Sequence, residues 1–194
     1  MYVDFDSLPD TRVPGINPLT TGQLIASIAY HEAAHAVTGM HFGMSLARTR
    51  VHTVDVDGHM GWTGTTTWNS SNVLCFNLAI ELAAGAAAGT RYLRDSNLLT
   101  LSTAAAVSAP HDRDMAVSAL AKVGYPLVLD GPAPENGATW TQAETAADDM
   151  VDRLWSQITA VAEGLIADQR RELTGDQVSN LIGIPNPAPS RTAT

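Results

Sequence analysis

The sequence contains only one cysteine, Cys75, and only one lysine, Lys122. One cysteine excludes an internal disulfide, so we expect a reducing, cytoplasmic setting, and the apolar neighbours of Cys75 favour a small core side chain over a reactive thiol. Positive charge is also scarce, because 11 basic residues against 20 acidic ones give a net charge of −9. This balance disfavours nucleic acid and anionic membrane surfaces as partners.

Long apolar runs are absent as well. No stretch of about 18 uninterrupted apolar residues occurs, so we expect no membrane-spanning segment. The acidic stretch from Met1 to Asp10 does not resemble a secretory signal. The length of 194 residues fits one domain. We expect an extended N-terminal arm at 1–19, a folded domain at 20–183 and a disordered tail, rich in proline, serine and threonine, at 184–194.

The spacing of apolar residues predicts a mainly α-helical fold, with about five to six helices and one small β-ribbon. The ribbon is expected between Leu46 and Trp68, where residues alternate in type around Asp57-Gly58, a two-residue hairpin turn. Thr141 and Glu144 match a capping box at the start of a long helix. The predicted helices span about 20–42, 70–93, 98–107, 108–123, 141–172 and 176–183.

One motif carries the chemistry: His31-Glu32-Ala33-Ala34-His35, a His-Glu-x-x-His sequence inside the first predicted helix. The i, i+4 spacing directs both imidazoles towards one ion, and Glu32 projects beside them. In such sites a metal activates a water molecule, while the glutamate takes its proton and delivers it to the leaving amine. The alternative is two core histidines with a surface glutamate, which would be costly to bury without a metal.

A catalytic zinc normally takes three protein ligands and keeps one position open, so a third ligand is needed. His41 follows His35 by six residues, the spacing of the third histidine in metzincins. That motif requires glycine three residues after the second histidine, where this sequence has Thr38. We therefore reject His41 as the third ligand.

Three carboxylates remain as candidates for that position. Asp112 shares a helical face with Ala116 and Ala119, whereas Asp114 lies on a more polar face, so Asp112 is the better candidate of the two. Glu81, on the second predicted helix, stays as an alternative ligand.

A family resemblance becomes visible around the motif. The segment from Ala29 to Val37 resembles the peptidase domain of FtsH-type ATP-dependent zinc metalloproteases, which typically read Ala-x-His-Glu-Ala-Gly-His-Ala at this point. The similarity spans about 20–183. Weaker matches follow in the order of the family: Val51-His52-x-Val54, Gly61-Trp62-Thr63, Ala84-Gly85-Ala86-Ala87-Ala88, Asp112-x-x-x-Ala116 and Leu173-Thr174-Gly175-Asp176-Gln177-Val178.

The resemblance implies a mostly helical domain with a small β-ribbon, zinc (Zn²⁺) as the cofactor and a polypeptide as the substrate. It also implies that the substrate pairs as an added strand along the edge formed by Gly61, Trp62 and Thr63. A packed hairpin aromatic is an equally good interpretation of Trp62. The site residues it implies are the zinc ligands His31, His35 and Asp112 and the general base Glu32.

The sequence also departs from the family. The Arg and Glu of the family's Gly-Gly-Arg-Ala-Ala-Glu segment are missing, Ala34 replaces the glycine of the motif, and no P-loop is present. We therefore expect a stand-alone zinc endopeptidase that acts on flexible or unfolded polypeptides, with a separate ATPase or self-association as further partners. The alternative is a catalytically silent zinc-binding module with a regulatory or protein-interaction role.

Overall fold

A computed structural model describes residues 18–56, 58–70, 73–108 and 110–188 of the chain. The described residues are mainly α-helical and include a small antiparallel sheet, which confirms the predicted fold class. Residues 1–17 of the predicted arm, Asp57 of the predicted turn and residues 189–194 of the predicted tail lie outside the described residues. The elements are α1 (Thr21–His41), β1 (Ser45–Val56), β2 (His59–Ser70), α2 (Cys75–Asp95), α3 (Leu101–Val107), α4 (Pro110–Lys122), β3 (Leu127–Val128), β4 (Ala138–Thr139), α5 (Trp140–Ala167), β5 (Glu172–Thr174) and α6 (Gly175–Ile182).

Helix α1 is the central element of the fold. Its N-cap is Thr20, whose hydroxyl accepts a hydrogen bond from the Gln23 backbone while the Gln23 side chain accepts one from the Thr20 backbone. This reciprocal pair is a capping box with Gln in place of Glu. Fully buried small residues, among them Ala29 and Ala33, let α1 pack closely against α2, α5 and the β1–β2 hairpin.

The main sheet has the order β2-β1-β5 and is antiparallel throughout. Thr49 and Val51 of β1 are buried on the face towards α1, while the alternating residues Arg48 and His52 lie on the other face, as the period of a strand requires. Because β1 is central, β2 is an edge strand in the part of the chain that the structure describes. This edge strand packs against α1.

The predicted start of the second helix is wrong by several residues. Strand β2 continues to Ser70, and α2 begins only at Cys75, with Leu74 as an N-cap that makes no side-chain capping bond. The predicted capping box of α5 is also displaced, because Thr139 and Gln142 form it. Helix α5 therefore begins at Trp140.

The end of α5 differs more. The prediction continued this helix to Glu172, whereas the structure ends it at Ala167. Asp168 Oδ1 accepts hydrogen bonds from the backbone amides of Arg170 and Glu172, at 2.8 and 3.3 Å, and this local turn reverses the chain. The residues that follow form β5 against β1, a third strand that the sequence reading missed.

The first residues of the predicted disordered tail contact the domain. Asn186 Oδ1 accepts a hydrogen bond from the Leu46 amide, and Asn186 Nδ2 donates one to the Leu46 carbonyl, each at 2.9 Å. These bonds satisfy the backbone of β1 at the point where its pairing with β2 shifts register. Among the described residues, no helix combines the length and apolarity needed to cross a membrane.

Candidate metal centre

Two imidazoles from successive turns of α1 form the base of the site. His31 and His35 are separated by one helical turn, and their Nε2 atoms lie 3.0 Å apart. The rings meet edge to face, with centroids 4.7 Å apart. His35 is buried and His31 is half-buried, so the pair opens towards one side only.

Asp112, in the first turn of α4, completes the group. Its Oδ2 atom lies 3.0 Å from His31 Nε2 and 3.4 Å from His35 Nε2. Ala116 and Leu120 follow at helical spacing and are buried, so packing of this stripe turns Asp112 inward. One ligand atom from each of the three residues lies within 4.8 Å of the others, which is close enough for all three to hold one metal ion.

The surroundings of Asp112 Oδ2 are those expected of a metal ligand. This oxygen is enclosed and close to both Nε2 atoms, yet it accepts no well-directed hydrogen bond. An unsatisfied buried carboxylate oxygen is costly. A cation between the three atoms would satisfy the oxygen and both imidazole nitrogens at once, and nitrogen and carboxylate donors are ligands that zinc accepts.

Glu81 fixes the orientation of His35 from the opposite side of the ring. The Nδ1 atom of His35 lies 2.9 Å from the Glu81 carbonyl oxygen and 3.2 Å from Glu81 Oε1. Because both are acceptors, Nδ1 is the protonated nitrogen, which leaves Nε2 directed at Asp112. Second partners of this kind orient metal-binding histidines. The structure therefore places Glu81 behind His35 rather than among the three converging atoms.

The other candidates considered from the sequence lie apart from this group. His41 Nε2 contacts Gln157 Oε1 at 2.7 Å, on an exposed part of the surface. Asp114 is paired with Arg113 at 3.4 Å, also at the surface. Neither residue belongs to the group formed by His31, His35 and Asp112.

Protonation of the site follows from its charges. Burial alone would lower the pKa of His35, but contacts with Asp112 and Glu81 outweigh it and raise that pKa well above its ordinary value. Burial would likewise raise the pKa of Asp112, but the imidazoles of His31 and His35 hold it well below its usual range. Both shifts have the same cause, because the carboxylates and the imidazoles of the centre each favour the charged form of the other.

Gly85 is a residue whose role the sequence reading did not foresee. It lies in α2 directly against the two imidazoles, where a Cβ atom would come within 2.5 Å of His35 Nε2 and 2.6 Å of His31 Nε2. Only glycine leaves room for the rings. The available signal was the run of alanine and glycine from Ala83 to Gly89, which predicts close helix packing but not a contact with the histidines.

Glu32, between the two histidines in sequence, is buried against β2. Its Oε2 atom accepts a hydrogen bond of 2.7 Å from Thr66 Oγ1. Its side chain also crosses Gly64, where any Cβ atom would overlap it. Glu32 is therefore a buried acid beside the three converging residues and is enclosed by the edge strand; neither Thr66 nor Gly64 was singled out from the sequence.

The residues predicted to bind substrate lie further along the same strand. Gly61, Trp62 and Thr63 are all half-buried on β2 and pair with Val54, Thr53 and His52 of β1. The Arg171 guanidinium lies 5.2 Å from the centre of the Trp62 ring, a cation–π contact. This contact and its packing against the core support the interpretation of Trp62 as a packed hairpin aromatic.

No protein-family model and no curated protein matches the chain. A fold class alone does not define an activity, so function has to be inferred from the site. That site is a candidate metal centre made of two histidines and an aspartate, with a buried glutamate beside it and an edge strand along one side.

Proposed function

We propose that the chain is a zinc-dependent endopeptidase that hydrolyses flexible or unfolded polypeptides. The observation that carries the proposal is the convergence of His31 Nε2, His35 Nε2 and Asp112 Oδ2 from two helices. The His-Glu-x-x-His motif supports it, because the same helical turn that supplies two ligands also carries a buried glutamate.

Zinc is the metal that this donor set favours. Calcium and magnesium prefer sites built from oxygen ligands, whereas zinc accepts imidazole and carboxylate together. Three protein ligands also leave a fourth position open, which is typical of catalytic rather than structural zinc. When bound there, the ion supplies Lewis-acid activation of a water molecule and of the substrate carbonyl.

The side chains of the chain perform the remaining steps. His35, fixed at Nδ1 by Glu81, presents Nε2 without freedom to rotate. Asp112 adds negative charge, which partly neutralises the cation. Glu32 accepts the proton of the attacking water and transfers it to the amide nitrogen as the peptide bond breaks.

An extended peptide fits the edge of the sheet. Strand β2 has a neighbour on one side only among the described residues, so its other side offers backbone groups to a further strand. We propose that Gly61, Trp62 and Thr63 pair with the substrate there. Only a segment that is flexible or already unfolded can be added in this way. We propose that a separate ATPase, or self-association of the chain, would widen the range of substrates.

The resemblance to FtsH-type peptidase domains supports the same proposal through the order of its short motifs. It adds the expectation of a peptidase module that acts on polypeptides. The experiment is digestion of an unfolded-peptide library and casein by the zinc-loaded chain. Glu32→Gln keeps the shape of the side chain but removes its basicity, and loss of a general base typically costs about 10²–10⁴-fold in rate.

The matched control is Glu135→Gln, a substitution of the same type at an exposed loop residue. We expect Glu32→Gln to bind zinc as the wild type does and to lose hydrolysis, while Glu135→Gln stays active. Full activity of Glu32→Gln would refute the assigned mechanism. A zinc-loaded wild type that is inert across the library would instead favour the silent zinc-binding module.

A further inference from the structure

We propose that Thr66 is a positioning residue for Glu32, and that Glu32 Oε1 is the oxygen that accepts the proton from water. The inference rests on the proposed function, because it assigns a task to the Glu32 carboxylate in peptide hydrolysis. It goes further by giving the two carboxylate oxygens different roles: one is anchored by a hydrogen bond, and the other reacts.

The anchored atom is Oε2. The hydroxyl of Thr66 has one proton and three acceptors within reach: Glu32 Oε2 at 2.7 Å, Thr49 Oγ1 at 3.0 Å and the Glu32 carbonyl oxygen at 3.2 Å. The shortest of these contacts is the one to the carboxylate oxygen, and hydrogen bonds to carboxylates are the stronger kind. Thr66 therefore donates to Oε2.

A second hydroxyl, that of Thr49, extends this bond into the sheet. Thr49 Oγ1 lies 3.0 Å from Thr66 Oγ1, and Thr49 is fully buried in the centre of the sheet. Since the proton of Thr66 is used on Glu32, Thr49 donates to the remaining lone pair of Thr66. The chain of donors therefore runs from Thr49 through Thr66 to the carboxylate, and it holds Oε2 in place.

The reacting atom is Oε1. It forms no hydrogen bond within the described residues, and it lies over Gly64, whose missing side chain makes room for it. Gly64 belongs to β2, the strand along which we propose that the peptide is added. Oε1 is thus held over the strand that would pair with the substrate, while Oε2 stays bonded to Thr66.

The proton path follows from this division. As the water oxygen bonds to the carbonyl carbon, one O–H bond of the water breaks and its proton passes to Glu32 Oε1. That proton then moves to the amide nitrogen as the C–N bond breaks, and the second hydrogen of the water leaves with the new carboxyl group. Glu32 ends in its starting state, with Oε2 bonded to Thr66 throughout.

The test compares Thr66→Val, which removes the hydroxyl but keeps the shape, with Thr66→Ser, which keeps the hydroxyl. Outer-shell partners at metal sites typically contribute about 10–100-fold. We expect Thr66→Val to lower kcat by about that factor with KM and zinc affinity unchanged, and Thr66→Ser to restore most of kcat. Thr67→Val, at an exposed threonine of the same strand, is the matched control and should behave as the wild type.

A second readout does not depend on activity. In the metal-free chain, Thr66→Val should lower the urea midpoint of unfolding in the wild type, and the loss should shrink in a Glu32→Ala background, because the partner is then absent. Equal losses in both backgrounds would overturn the proposed bond. So would an unchanged kcat in Thr66→Val, or a Thr66→Ser variant as impaired as Thr66→Val.

The outcomes also separate this inference from the function on which it rests. An inactive zinc-loaded wild type would overturn the proposed function and the positioning role together. An active wild type whose hydrolysis is lost in Glu32→Gln but unchanged in Thr66→Val would overturn the positioning role alone.

Discussion

Substituting alanine for Gly85 places one methyl group against both histidines of the candidate metal centre. The added Cβ atom would lie 2.5 Å from His31 Cε1 and from His35 Nε2, and 2.6 Å from His31 Nε2. An ordinary contact between such atoms is about 3.5 Å or longer, so at least one ring must retreat by about 1 Å. His35 has little freedom to do so, because it is buried and Glu81 holds its Nδ1 atom.

We expect Gly85→Ala to reduce zinc affinity strongly and folding stability only moderately. Overpacking a core typically costs about 1–3 kcal/mol. Replacing glycine by alanine inside a helix returns about 1 kcal/mol, so Gly85→Ala should lose no more than about 2 kcal/mol of folding free energy. Metal–ligand distances tolerate only about 0.2 Å, so a ligand displaced by about 1 Å should weaken zinc binding on the order of 100-fold.

Zinc affinity measured by competition with a chelator tests this expectation, with helix content followed by circular dichroism. Gly89→Ala is the matched control, since it lies one turn later in α2 and its added Cβ atom would approach nothing closer than 3.6 Å. It should bind zinc as the wild type does. Wild-type zinc affinity in a folded Gly85→Ala chain would refute the placement of α2 against the two ligands.

Three further predictions concern the ligands and the tail. Asp112→Ala should weaken zinc binding by more than the roughly 10–100-fold typical of outer-shell changes, whereas Glu81→Gln should stay within that range; the reverse order in a chelator titration would make Glu81 the ligand. Burial lowers the pKa of His35, but Asp112 and Glu81 raise it further, so the metal-free imidazole is protonated at neutral pH. Zinc binding should therefore release about one proton from His35, and affinity should rise with pH up to that pKa; calorimetry in buffers of different ionisation enthalpy that detects no release at pH 7 would contradict this. Asn186→Asp removes the nearer of two donors to the Leu46 carbonyl, the other being Asn69 Nδ2 at 3.3 Å, and should cost about 0.5–1.5 kcal/mol of folding free energy, a result that an unchanged urea midpoint would contradict.

The sequence was most informative where the candidate site depends on local spacing. The positions of His31 and His35 one turn apart follow from the helix alone, and the inward direction of Asp112 follows from the buried stripe that continues through Ala116. These relationships are local in sequence, so they do not depend on the tertiary structure. The β1–β2 hairpin was predictable for the same reason, because alternation and the Asp-Gly turn lie within a few residues.

Tertiary relationships were not predictable in this way. The end of α5 depends on a turn capped by Asp168, and β5 is only three residues long, so its pairing with β1 leaves no periodic signal. The roles of Gly85 and Thr66 depend on which residues of other elements they face. In the sequence, Gly85 looks like the other small residues of an Ala-rich helix, and Thr66 looks like the two threonines beside it. Only the fold shows that these two residues lie against the site.

The zinc content of the purified chain is the most direct test of the central claim that His31, His35 and Asp112 hold a catalytic metal. The chain would be stripped with a chelator, incubated with an equimolar mixture of zinc, magnesium, calcium and manganese, desalted and analysed for each element. The account predicts about one zinc per chain and none of the other three metals in comparable amount. A desalted chain that retains no zinc, or that retains magnesium or calcium instead, would contradict it.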